Sequence, residues 1–178
     1  MKSIFVGAMA WGLLSLGFVR ADGVKPGDHG ELIDFKKDVS AMLSYENGAT
    51  GTVDADLGVL KLTLPAGKGY PGVKVSPEGI WDLTGYTGVD AEVTNTGTDN
   101  LNVNLRVDGD DDWKNQTWNC EMATVSPGQT LTIHVTFGMS YKQPAYKMPL
   151  DHVLHVLVFA LDPAAAGSLK IKSIKATK

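Results

Sequence analysis

The chain of 178 residues carries 20 acidic and 16 basic side chains, a net charge of −4, and a single cysteine. One cysteine excludes an intrachain disulfide, so the fold must rest on its apolar core. The acidic balance argues against nucleic acid and anionic membrane surfaces as partners.

In chain order, Met1–Ala21 reads as a secretory signal peptide: Lys2 gives the positive start, Ile4–Val19 is apolar without an acidic residue, and Val19-Arg20-Ala21 suits cleavage. Gly7, Gly12, Ser15 and Gly17 interrupt the apolar stretch, which favours cleavage over a lasting membrane span. Cleavage after Ala21 leaves 157 residues with 14 basic and 20 acidic side chains, a charge of −6. That is one domain large enough for a real core. The expected product is secreted, with no membrane attachment. Residues 22–30 are polar and glycine-rich and read as a flexible lead-in to a domain over residues 31–178.

From there the hydrophobic period is two. Leu60, Leu62 and Leu64 alternate with polar residues, as do Val89, Ala91 and Val93, then Leu101, Val103, Leu105 and Val107, then Leu131, Ile133, Val135 and Phe137. Each pattern gives a strand one core face and one solvent face. Residues 153–161 are apolar on nearly both faces and read as a central strand. Leu169–Ile174 reads as a last strand with a bulge at Ser173. Turn formers punctuate these runs at Glu46-Asn47-Gly48, Pro65-Ala66-Gly67, Asn95-Thr96-Gly97, Ser126-Pro127-Gly128 and Asp162-Pro163. Short alternating strands with such spacing predict an all-β antiparallel β-sandwich of the jelly-roll kind.

Candidate chemistry lies on the polar faces and in two loops. Asn102, Asn104, Arg106 and Asp108 share one strand face; Asp90, Glu92 and Thr94 share another; Thr132, His134 and Thr136 a third. Polar rows on neighbouring strands would meet and could hydrogen-bond sugar hydroxyls. Arg106 is the only arginine beyond the leader; its fork suits a ligand or an internal carboxylate such as Glu92. The following loop holds Trp113, an aromatic platform for a sugar ring, with Lys114, Asn115 and Gln116 as directional partners. Asn115-Gln116-Thr117 is also a glycosylation sequon. Trp118 is in phase with Cys120 and Met122 and is expected in the core, with Cys120 a small buried hydrophobe. Asp108, Asp110 and Asp112 have the spacing that opens a calcium loop, but Trp113 and Asn119 occupy the positions where such a loop needs glycine and glutamate, so any calcium ion would need another geometry. The long segment 138–149 brings Tyr141 and Tyr146, which could flank a cleft or pin the loop.

Three stretches carry a family resemblance: Tyr70-Pro71-Gly72-Val73-Lys74-Val75 with Gly79-Ile80-Trp81-Asp82-Leu83-Thr84-Gly85-Tyr86; Val93-Thr94-Asn95-Thr96-Gly97 with Leu105-Arg106-Val107-Asp108; and Ser126-Pro127-Gly128-Gln129-Thr130. Together they resemble the galactose-binding-like, carbohydrate-binding-module-like domain of agarase-type glycoside hydrolases. The resemblance implies a jelly roll with affinity for a polysaccharide such as a galactan; it does not imply catalysis, since the barrel that does the chemistry is absent. Jelly rolls of this group often hold calcium partly through an acid in the final strand; here Lys170-Ile171-Lys172-Ser173-Ile174-Lys175 offers none.

The expected function is therefore a secreted, non-catalytic carbohydrate-binding module for a neutral polysaccharide, with Asn104, Arg106, Asp108, Trp113, Lys114, Asn115, Gln116, Tyr141 and Tyr146 as the binding set. Two alternatives belong to other classes. One is a cell-surface protein that docks a partner through a sandwich edge or face. The other is a small hydrolase, for which Asp108 and Glu92 would be the carboxylate pair, or a lyase using His134 or Tyr141 as base near Arg106 or a lysine.

Overall fold

The computed structural model describes residues 23–67, 69–109 and 113–178, without the side chain of Trp113. The signal peptide expected at Met1–Ala21 lies outside the described residues. Among the described residues twelve strands form: β1 Leu43–Glu46, β2 Thr50–Asp54, β3 Val59–Leu64, β4 Gly72–Val75, β5 Gly88–Asn95, β6 Leu101–Asp108, β7 Trp118–Val125, β8 Thr130–Thr136, β9 Met139–Ser140, β10 Gln143–Pro144, β11 His155–Ala160 and β12 Gly167–Thr177. Two five-stranded antiparallel sheets pack face to face, in the orders β1-β4-β11-β6-β7 and β2-β3-β12-β5-β8. The fold is the expected all-β sandwich with jelly-roll character. A two-stranded hairpin, β9-β10, stands apart from both sheets.

The core forms where the alternation said it should. Leu60, Leu62 and Leu64 of β3, Val89, Ala91 and Val93 of β5, Ile133 and Val135 of β8, and Ile171 and Ile174 of β12 meet Val103, Leu105 and Val107 of β6 and Val156 and Val158 of β11. Side chains at every second position fill the space between sheets, while their neighbours face outward. Trp81 and Leu83 close one end of the core, and Trp81 exchanges backbone hydrogen bonds with Val153. The register of β12 against β5 shifts between Ile171 and Ser173, so the expected bulge is present.

Two of the polar rows meet, on the outer face of the second sheet. His134 Nδ1 lies 2.5 Å from Asp90 Oδ1, Thr94 and Thr130 share a hydroxyl hydrogen bond of 2.8 Å, and Lys172 Nζ donates to Glu92 Oε1 at 3.1 Å. The Asn102–Asp108 row faces away from them, on the outer face of the first sheet.

Residues 23–30 are stitched into the sandwich, where a flexible lead-in was expected. Val24 N donates to Ile80 O at 2.7 Å and its carbonyl accepts from Asp82 N at 2.9 Å. Gly30 has φ +81°, and a Cβ there would run into the Ala176 carbonyl, so only glycine passes that close to β12. Backbone bonds to residues 80–82 and to β12 account for this: a polar composition does not prevent a segment from pairing with its neighbours. No helix among the described residues is long and apolar enough to cross a membrane.

Asn95 ends β5 with no exposed surface. Its Nδ2 donates to Asp99 O at 2.7 Å and Val125 O at 2.8 Å, and its Oδ1 accepts from Gly97 N at 2.9 Å. One side chain thus fastens the β5–β6 turn to the end of β7. Asn95→Ala should cost about 1–3 kcal/mol, since it leaves buried carbonyls without donors. Urea unfolding of the two proteins checks this.

Candidate functional site

β6 builds the floor of the site. Because Leu101, Val103, Leu105 and Val107 face the core, Asn102, Asn104, Arg106 and Asp108 must face outward. The register then fixes their neighbours. Asp108 lies between His155 of β11 and Trp118 of β7, Arg106 between Leu157 and Cys120, and Asn104 between Phe159 and Met122. Lys74 of β4 and Glu46 of β1 continue these rows toward the far edge. A cleft of about 620 Å³ runs over this face and touches side chains from all five strands. Four inter-strand spacings make it roughly 19 Å across, and its volume is that of a site for an extended small ligand.

Charge on the floor is internally compensated. Arg106 Nη2 and Nε donate to Asp108 Oδ2 at 2.8 and 3.2 Å, and His155 Nε2 sits 2.7 Å from the same oxygen. The guanidinium carbon lies 5.9 Å from the ring centres of both Trp118 and Phe159, so Arg106 is flanked by two aromatic rings. Asp108 is almost wholly buried. Lys74 Nζ stands 3.6 Å from Glu46 Oε1, a weak pair near the solvent.

Aromatic rings rise on both sides. Tyr70 is 57% exposed and meets Phe159 edge-to-face at 5.7 Å. Its carbonyl accepts from Asn47 Nδ2 at 3.2 Å. Gly72 lies opposite Phe159, where a Cβ would come within 2.5 Å of Phe159 Cβ; the absent side chain leaves room for Phe159. On the other side, the β9-β10 hairpin turns through Tyr141 and Lys142 at φ +49° and +63°. Residues with side chains are held there at a cost of order 1 kcal/mol each. Tyr141 N donates to Cys120 O at 2.8 Å and Ser140 Oγ accepts from Cys120 N at 3.1 Å, which fixes the hairpin to β7. Tyr141 Oη then reaches 3.5 Å from Asn104 Oδ1.

Of the residues expected to bind, Asn104, Arg106, Asp108, Lys114, Gln116 and Tyr141 line this cleft together. Asn115 and Tyr146 do not. Asn115 is exposed on the turn Trp113–Asn115, and Tyr146 is an exposed ring outside the cleft whose carbonyl accepts from Asn119 Nδ2 at 2.8 Å. The side chain of Trp113 lies outside the described residues.

The core expectation for Trp118, Cys120 and Met122 is corrected. Pairing with β6 puts all three on the cleft face, and the inward face of β7 carries Asn119, Glu121, Ala123 and Val125. Cys120 is buried, but beneath Tyr141 and beside Asn104, away from the core. Arg106 finds its carboxylate in Asp108; Glu92 belongs to the other sheet, so Asp108 and Glu92 cannot flank one bond. His134 is likewise on the far face with Asp90. Tyr141 shares the cleft with Arg106, but burial pushes its phenol well above the usual range, which leaves it protonated and a poor base.

Sequence reasoning missed Tyr70, His155, Leu157 and Phe159 as cleft residues. The latter three were absorbed into an apolar run read as covered on both sides. Tyr70 stood beside a Pro-Gly turn, where exposed rings are common. For calcium, Asp110 and Asp112 lie outside the described residues. Asp108 already holds two cationic or potentially cationic groups, a poor environment for a divalent ion. No cluster of three metal-binding side chains occurs among the described residues.

No protein-family model matches the chain, and no curated protein matches it. Solved structures do. An agarase shares 10% identity with a TM-score of 0.65, over 83% of this chain and 26% of the agarase. An exo-β-agarase shares 14% identity with a TM-score of 0.64, over 84% of this chain and 26% of that one. The family 11 carbohydrate-binding module of Clostridium thermocellum, solved with a β-1,3-1,4-mixed-linked tetrasaccharide, shares 15% identity with a TM-score of 0.53, over 83% of this chain and 94% of the module. The chain thus spans about a quarter of the length of these agarases. It has the jelly-roll fold that the resemblance implied.

Two outcomes follow from this geometry. Asp108→Ala strands Arg106 and His155 and should destabilise the fold by about 3–5 kcal/mol in urea unfolding. The Cys120 thiol, pushed up to about 11 by burial, stays protonated at pH 8. Iodoacetamide should therefore label it only after denaturant is added, as read by mass spectrometry.

Proposed function

We propose that the chain is a secreted, non-catalytic carbohydrate-binding domain that takes a neutral polysaccharide along the cleft of the first sheet. One observation carries the reading: a cleft across five strands combines exposed aromatic rings with hydrogen-bonding side chains whose charges are already paired. Sugar rings offer apolar faces and a rim of hydroxyls, which is what Tyr70, Tyr141, Asn104 and Gln116 are suited to meet. A polyanion would find Arg106 engaged by Asp108 and a chain of acidic charge around it. The fold shared with the family 11 module supports the binding class. The fold shared with the agarases supports a galactan as the first ligand to try.

The non-catalytic reading rests on the same side chains. Among the described residues, the carboxylates that line the cleft are Glu46 and Asp108. Asp108 is clamped by Arg106 and His155, so it is poorly placed to move a proton or attack a sugar. Trp113 stays in the proposed set as a platform at the loop end.

Affinity electrophoresis and pull-down of the protein from Asp22 onward, on agarose, mixed-linkage β-glucan, cellulose and an anionic polysaccharide, test this. We expect retention on one neutral glycan, unchanged by chelator. Tyr70→Ala should weaken it about tenfold without unfolding the domain, and Trp113→Ala should weaken it as well. Loss of retention with chelator would show that binding needs a divalent ion. No retention on any glycan, together with a concentration-dependent oligomer in sedimentation, would favour a cell-surface docking protein instead.

A further inference from the structure

Two polar atoms on the cleft floor have no hydrogen-bond partner among the described residues, although each is shut away from solvent: Asn104 Nδ2 and Asp108 Oδ1. Asn104 has no exposed surface and Asp108 has 2%. A buried donor or acceptor without a partner costs about 1–3 kcal/mol, and native folds rarely carry two in one place.

Packing does not explain the amide. The strand neighbours of Asn104 on this face are Phe159 and Met122, both apolar, so a leucine would suit the row as well. Nor do its present contacts. Among the described residues, Asn104 Oδ1 accepts from the Cys120 thiol at 3.8 Å and from Tyr141 Oη at 3.5 Å, the limit of a hydrogen bond. At Asp108 the asymmetry is sharper. Oδ2 takes Arg106 Nη2, Arg106 Nε and His155 Nε2, while Oδ1 takes nothing from the described residues. The clamp on one oxygen holds the other in a fixed direction.

We propose that Asn104 is a specificity-determining residue of the cleft, with Asp108 Oδ1 as its counterpart. The Asn104 amide donates to an acceptor oxygen of a neutral sugar, and Asp108 Oδ1 accepts from a hydroxyl of another unit of the same chain, roughly 13 Å along the strand. Tyr141, about half exposed at the tip of its hairpin and weakly bonded to Asn104, is displaced to admit the ligand. Because the charge of Asp108 is already met, this acceptor reads a hydroxyl and not a cation. The inference rests on the carbohydrate-binding reading and names the atoms that would discriminate among glycans.

Such a residue has a signature that a structural one lacks: its removal harms binding and spares the fold. The test uses wild type, Asn104→Leu and Asn104→Ala, titrated by calorimetry with agarose oligosaccharides and with a soluble β-1,3-1,4 mixed-linkage glucan, alongside thermal melting without ligand. Wild type is expected to bind one of the two glycans. Both variants should lose at least tenfold in affinity, while Asn104→Leu melts at or above the wild-type temperature. Wild-type affinity in either variant overturns the assignment and leaves the cleft reading standing. So does a drop of more than about 4 °C in the melting temperature of Asn104→Leu, which would mark the residue as structural. Binding of neither glycan by wild type overturns the assignment together with the ligand class on which it rests.

Discussion

A β-strand sends successive side chains to opposite faces, and β6 uses both faces without compromise. Leu101, Val103, Leu105 and Val107 anchor the core, which obliges Asn102, Asn104, Arg106 and Asp108 to stand on the other side. A slip of one residue would bury a guanidinium and a carboxylate between the sheets and expose four apolar side chains. The apolar demand of the core therefore fixes the register, and the register fixes the polar floor of the cleft. Everything above that floor is arranged around it: Phe159 and Trp118 flank Arg106, His155 supports Asp108, and the β9-β10 hairpin lays Tyr141 over Asn104.

The floor is held by one oxygen. Asp108 Oδ2 gathers three donors from two side chains, in a place with little water to screen them. Such a junction is stiff, because moving any member leaves a buried charge behind. Its stiffness has a chemical consequence. With the strong charges engaged, what remains for a ligand is a set of weaker, directional groups beside exposed rings. On the proposed reading, a molecule with many hydroxyls and no charge is what such a surface takes.

Local features that hold the cleft open depend on small or strained residues. Gly72 lacks the side chain that would collide with Phe159. Tyr141 and Lys142 adopt a left-handed turn that neither prefers, and the backbone bond from Tyr141 to Cys120 keeps them there. The outer face of the other sheet has no comparable relief. Its polar residues pair with one another across strands, as in His134 with Asp90 and Thr94 with Thr130. Two faces of similar composition thus differ in emphasis: one pairs most of its polar side chains across strands and leaves Thr177 Oγ1 at its end without a partner among the described residues, while the other keeps two such atoms on the cleft floor.

The sequence by itself determined the all-β class, the core faces of β3, β5, β6 and β8, the bulge in β12, and the polar row from Asn104 to Asp108. These are local properties, because alternation and turn chemistry act within a few residues. Short strands such as β1, β2 and β4 were not legible, since four or five residues of mixed polarity carry no clear period. β7 was misread for a related reason: alternation separates two faces but does not say which one is the core, and both faces of β7 carry apolar side chains. Only the tertiary structure decided that Trp118 faces the cleft, that Glu92 and Asp108 lie on different sheets, that Asp108 is the partner of Arg106, and that Tyr70 and Tyr141 share one cleft. Those facts depend on pairings between residues tens of positions apart, and such pairings are set by how two whole sheets bury their apolar faces against each other.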